Sequence, residues 1–175
     1  MAWYTIQTLK NSTSGDYWLN TKPGTETPLS LLGRPVYLTD KITIDTSAPP
    51  VTRIAVSAST LVTTSDGMEE VLTSFSVEIV EDASTFPTTV TVETSFTVSS
   101  PRIGGEVTVT TSLALQSMGE DYPFAGELRI EGAGNAVIVM IALDADTVRL
   151  QIDVNGDGAT DETIDMTWDE LMAAA

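Results

Sequence analysis

Cysteine and histidine are both absent from this chain of 175 residues. Without cysteine there is no disulfide, no thiolate nucleophile and no Cys-ligated zinc. Without histidine there is no Ser-His-Asp relay, no imidazole base and no His-ligated transition metal. Basic residues are scarce: 8 Lys and Arg stand against 25 Asp and Glu, for a formal charge of −17. Such a surface repels phosphate, so no nucleic-acid partner is expected, and it argues equally against docking on an anionic membrane. Long apolar runs are missing too. The longest, Ala136 to Leu143, is far too short to cross a bilayer, and no transmembrane segment is expected. Met1 is followed by Ala2-Trp3-Tyr4-Thr5, with no basic start or apolar run, so no targeting segment is read.

What remains is enough for one domain, or one domain with an appendage, able to bury about 70% of its unfolded surface. The charge divides the chain. Residues 1–50 balance Asp16, Glu26, Asp40 and Asp45 against Lys10, Lys22, Arg34 and Lys41, so residues 51–175 carry the whole −17. The change falls beside the turn-rich Asp45-Thr46-Ser47-Ala48-Pro49-Pro50 and marks a boundary between a neutral segment, 1–50, and an acidic domain, 51–175. The first segment reads as loops plus one strand near Pro35–Ile44, with Thr5–Lys10 as either strand or helix. In the second, period two dominates. Val71, Thr73, Phe75, Val77 and Ile79 alternate with more polar neighbours, as do Val90, Val92, Thr94, Phe96 and Val98, and Val107, Val109, Thr111 and Leu113. This is the pattern of strands with one buried and one wet face. Further strands are predicted at Glu127–Ile130, at Ala136–Leu143 as a central strand covered on both faces, at Val148–Ile152 and at Ile164–Trp168. The short links favour antiparallel neighbours. Thr167 and Glu170 have capping-box spacing ahead of a short helical tail. The expected fold is therefore all-β, an antiparallel sandwich or large curved sheet with a short C-terminal helical turn.

The most chemical motif is Asp153-Val154-Asn155-Gly156-Asp157-Gly158-Ala159-Thr160-Asp161. It matches D-x-[DN]-x-D-G, the opening of an oxygen-ligand calcium loop. Calcium is hard and takes six to eight oxygens, and a glycine at the sixth position allows the sharp turn. Asp153, Asn155 and Asp157 fill the first, third and fifth places, the Ala159 carbonyl the seventh and Asp161 the ninth. An EF-hand requires Glu at the twelfth, where Ile164 stands, and the flanks read as strands. Two readings follow: a calcium-loop variant in a β-hairpin, with Glu162 or Asp165 as a further ligand, or a plain hairpin turn built on Asn-Gly and Asp-Gly. The other carboxylates, Asp66, Glu69, Glu70, Glu81 and Asp82, fall in turns, and no catalytic residue is assigned. Trp3, Trp18 and Trp168 read as packing anchors.

Two resemblances join this reading. Ile103-Gly104-Gly105-Glu106-Val107-Thr108-Val109, Tyr122-Pro123-Phe124-Ala125-Gly126-Glu127-Leu128-Arg129-Ile130, Ala142-Leu143-Asp144, Val148-Arg149-Leu150-Gln151-Ile152-Asp153, Asn155-Gly156-Asp157-Gly158 and Thr167-Trp168-Asp169-Glu170-Leu171 together resemble the C-terminal region of a group of bacterial cell-envelope lipoproteins of unknown function. The resemblance spans about residues 65–172 and implies an exported, β-rich, non-enzymatic protein. Thr8-Leu9-Lys10, Gly15-Asp16-Tyr17-Trp18 and Leu31-Leu32-Gly33-Arg34-Pro35-Val36-Tyr37-Leu38-Thr39-Asp40 resemble a stretch of tailed-phage major capsid proteins. The expectation is thus an extracytoplasmic structural or interaction protein, not an enzyme, with a calcium-stiffened hairpin and a protein partner or self-assembly; the alternative is a virion assembly component.

Overall fold

The computed structural model describes residues 15–18, 29–31, 34–38, 41–65, 68–119 and 122–174, with side chains described at 43, 45–57, 70–119 and 122–173. Its strands are β1 (Gly15–Trp18), β2 (Leu29–Leu31), β3 (Arg34–Leu38), β4 (Lys41–Ala48), β5 (Val51–Ser65), β6 (Met68–Asp82), β7 (Thr89–Ser100), β8 (Gly105–Ser117), β9 (Ala125–Glu131), β10 (Val137–Ala142), β11 (Thr147–Asp153) and β12 (Glu162–Thr167), followed by helix α1 (Trp168–Ala174). All twelve strands join one antiparallel sheet in which β4 to β12 follow one another in chain order. Of the two architectures expected, the open sheet is the one observed. The segment read as one strand at Pro35–Ile44 holds β3 and β4, which pair with different halves of the long β5. The change in charge at residue 50 falls on the turn between β4 and β5, which pair with each other. The residues read at Thr5–Lys10, and the side chains of Trp3 and Trp18, lie outside the described residues.

Register sorts the side chains onto two faces, because directly opposed residues in antiparallel strands point the same way. One row links Phe96, Val109, Ile130, Ile138 and Ile152 across β7 to β11. The next links Thr111, Leu128, Met140, Leu150 and Ile164. This face is apolar. On the other face run Thr97, Thr108, Glu131, Val137 and Asp153, then Thr110, Arg129, Val139, Gln151 and Thr163. Three arginines lie on this polar face, each beside an acid: Arg53 with Glu78 at 3.0 Å, Arg129 with Glu131 at 2.7 Å and Arg149 with Asp165 at 2.7 Å.

Among the described residues, the fully buried hydrophobic side chains form two clusters on the apolar face. Ile54 and Ile79 are packed by Val56, Val77, Val90 and Val92. Ala142, Val148 and Trp168 are packed by Tyr122, Met140, Met166 and Leu171. The second cluster exists because α1 folds back over the end of β10 and β11. The expected capping box starts it: the Glu170 N–H donates to Thr167 Oγ1 at 3.1 Å, and the Thr167 N–H donates to Glu170 Oε2 at 2.8 Å. β10 was expected to be covered on both faces, yet only Ala142 in it is buried. Its apolar run is explained differently. Val137, Val139 and Ile141 form a stripe through the polar face, and Ile138 and Met140 belong to the apolar one. Among the described residues no helix is long and apolar enough to cross a membrane.

Candidate functional site

The acidic hairpin loop folds back over the polar face, and with it forms a groove of about 640 Å³. The floor is the ends of β8 to β11, with Thr108, Arg129, Glu131, Val139 and Gln151 upward. The walls are the 3₁₀ turn Ala133–Asn135 and the loop after Asp153. Those two loops meet at Gly156. A Cβ there would lie 2.5 Å from Asn135 Cβ and 2.6 Å from the Asn135 carbonyl oxygen, and φ is +73°. Only glycine meets both conditions. The loop's first glycine is therefore a contact between two turns as well as a hinge for its own. The 3₁₀ turn was missed in the sequence; its signal was Gly132-Ala133-Gly134-Asn135 between two strands, with Gly134 and Asn135 both at positive φ.

Asp153 organises the loop. Its side chain is buried, with Oδ1 accepting from the Gly156 N–H at 2.7 Å and Oδ2 from the Gly158 N–H at 2.8 Å. Desolvation works to raise this carboxyl. The N–H groups of Gly158, Gly156, Asp157 and Asn155 outweigh it and hold the group below the ordinary carboxylate range. The remaining side chains continue the pattern. Asn155 Oδ1 accepts from the Asp157 N–H at 2.9 Å, Asp157 Oδ1 from the Ala159 N–H at 2.8 Å, and Asp161 Oδ2 from the Val154 N–H at 2.8 Å. Asp153, Asn155, Asp157, Ala159 and Asp161 are thus brought into one closed loop. Asp165 is not. It stands on β12 opposite Arg149, whose Nε and Nη2 hold its two oxygens at 2.7 and 2.8 Å. That pairing lowers the Asp165 carboxyl and raises the guanidinium. Glu162 starts β12 opposite Ile152, on the apolar side of the sheet. Among the described residues no three carboxylates gather into a metal-binding group.

The loop has a pH signature of definite sign. Asp153 is depressed in the folded chain relative to its ordinary 3.8, so its stabilisation is complete above that value and disappears as pH falls through the lower folded one. Asp153→Asn, which cannot accept at both oxygens, is expected to lower the urea midpoint by a constant amount at neutral pH. The gap should close once pH drops well below 3.8, where Asp153 is itself protonated. A gap that persisted unchanged in acid would show that the carboxylate charge is not what the loop uses.

The groove is polar and lacks an aromatic side chain among its lining residues, so it offers no stacking platform for a sugar ring. Of its charges, Arg129 is paired with Glu131 and Asp153 is held by backbone N–H groups, while Glu106 also lines the groove. Compared with known proteins, the chain matches no family model, no curated protein and no solved structure.

Proposed function

We propose that this chain is a non-enzymatic, extracytoplasmic structural and interaction module, whose sheet is a platform for a protein partner and whose Asp153–Asp161 hairpin is stiffened by calcium. The observation that carries the reading is the two-faced open sheet. A broad apolar side whose rows between the two buried clusters remain partly exposed is an interaction surface in ordinary proteins, where large apolar patches are seldom left to water. The acidic composition of residues 51–175 supports a role away from phosphate-rich partners. For the hairpin, support comes from the order of Asp153, Asn155 and Asp157, and from Asp157 and Asp161 being exposed, each with one oxygen on a backbone N–H. An ion there would draw further oxygens inward and neutralise part of the −17.

Thermal melting of the chain with an apolar fluorescent dye, in calcium and in chelator, tests both parts together. Dilute folded protein is expected to bind the dye before the transition, and calcium to raise the midpoint as a ligand of the folded state, by about 2.7 kcal/mol at one hundred times its dissociation constant. Dye bound only after unfolding would remove the platform. Coincident midpoints would remove the ion and leave the platform standing.

A further inference from the structure

We infer that the apolar face of β7 to β11 is the interface of a two-fold dimer, its partner being a second copy of this chain. The inference rests on the platform reading above and names its occupant.

Three observations carry it. The first is the absence of a second layer among the described residues. Among the described residues, α1 covers only the end of the face around Ala142 and Val148. The rows through Ile130 and Leu128 remain partly exposed. The second is charge. Over β7 to β11 the two rows contain no charged residue, in a chain of net −17; Glu162 stands at their margin on the edge strand. Two copies meeting elsewhere would bring like charges together. Across this face they meet neutral surface on neutral surface, and both polar faces with their ion pairs stay in water. A basic partner, by contrast, would be drawn to the polar face and the acidic loop. The third is size. Five strands about 4.8 Å apart, over some six residues of rise, give roughly 500 Å² in projection, the order of the ~800 Å² of accessible surface each partner gives to a stable interface. An open sheet packed on its own copy makes the two-layer sandwich that alternating strands ordinarily form, with an isologous contact about 10 Å thick. With no charge to select a foreign partner, the face selects on shape, and its own shape is the one a two-fold axis supplies.

The cysteine-free chain makes the test direct. Ile138→Cys places a single thiol on the apolar face of β10, and Val139→Cys places one on the polar face a residue away. Each full-length variant is followed by sedimentation velocity and by thiol labelling over a range of protein concentration, at low and high salt. The expected result is a dimer that dissociates on dilution and strengthens with salt as the −17 is screened. Labelling of Ile138→Cys should slow roughly tenfold once nine-tenths of chains are paired, while Val139→Cys labels at one rate throughout. A dimer in which Ile138→Cys still labels fast would place the contact elsewhere, on a sheet edge, and overturn the inference. A monomer with Ile138→Cys protected at every concentration would assign the cover to this chain's own N-terminal residues, and would overturn it too. A monomer that labels fast at every concentration and binds the dye when folded would overturn self-pairing but leave the platform; one that does not bind the dye would remove both.

Discussion

Replacing Trp168 by alanine should cost about 3–5 kcal/mol, the range for removing a large buried aromatic. Trp168 is 5% exposed and joins otherwise separate parts of the chain. Its ring stacks on Tyr122 with centroids 5.7 Å apart and planes 11° off parallel. Its indole N–H donates to the Asp144 carbonyl at 3.3 Å, and its backbone N–H to the Asp146 carbonyl at 3.1 Å. Tyr122 in turn reaches α1 through its hydroxyl, which donates to Asp169 Oδ1 at 2.9 Å. A helix of 7 residues does not hold in water on its own propensity. What keeps α1 in place is this ring seated on Ala142 and Val148. The loss is therefore expected to detach the helix as a unit. Trp168→Ala and truncation before Trp168 should lower the denaturant midpoint by nearly equal amounts, and adding Leu171→Ala to Trp168→Ala should change little. Trp168→Phe, which retains most of the packing and gives up the indole N–H, should lose about 1 kcal/mol. If Trp168→Ala cost no more than the phenylalanine variant, the packing role assigned to this ring would be wrong. The change also predicts more dye bound by the native state, since Ala142 and Val148 would join the open rows beside them.

Most of the sheet could be read from alternation, and the reason is visible in where reading succeeded. β6, β7 and β8 alternate because one side of each faces water and carries Thr, Ser and Glu. β5 was not recognised: Val51–Ser65 mixes Ala, Ser and Thr with Val and Leu, and its length serves two partners, β4 at one end and β3 at the other. Strict period two is not required where neighbours change along the strand. The run Ala136–Leu143 was legible as a strand but not as to its cover, because an apolar stripe on an otherwise polar face looks in sequence like a strand buried on both sides. At the hairpin, the order of oxygen-bearing residues was legible since the loop is local. Its contact with Asn135 was not, because nothing in Gly156 names a partner some twenty residues upstream. Asp165 shows the same limit from the other direction. It is close in sequence to the loop, but pairing of β11 with β12 places it opposite Arg149, and a register of that kind follows from the whole hairpin rather than from spacing.

Gly126→Ala should be among the most damaging of the small substitutions, at about 2–4 kcal/mol, from a positive-φ cost of about 1 and an overpacking cost of about 1–3. In a chain of this length that is a fall of about 4–16 °C in melting temperature. Gly126 is the second residue of β9, at φ +119° and opposite Ala142. A Cβ there would sit 2.6 Å from both the Ala114 carbonyl oxygen and Leu115 Cα, with the Ala114 carbonyl carbon at 2.9 Å. These are backbone atoms of β8 and cannot swing aside as the end of a side chain would. They crowd Gly126 because the β8–β9 register shifts twice, between Thr111 and Leu113 and again between Leu113 and Gln116, pushing β8 toward its neighbour. Gly104→Ala is the control. Gly104 also has a positive φ, +69°, but a Cβ there would meet nothing within 4 Å. It should cost only that same backbone preference, about 1 kcal/mol. The difference between the two variants isolates the close approach of β8 to β9 from the conformational preference of glycine. Equal losses in the two would mean that the irregular part of β8 yields to an added methyl, and that the sheet there is softer than its ladder implies. A larger loss at Gly126, with the native dye signal of the apolar face also rising, would place the irregular β8–β9 pairing among the features that hold that face flat enough to receive a second one.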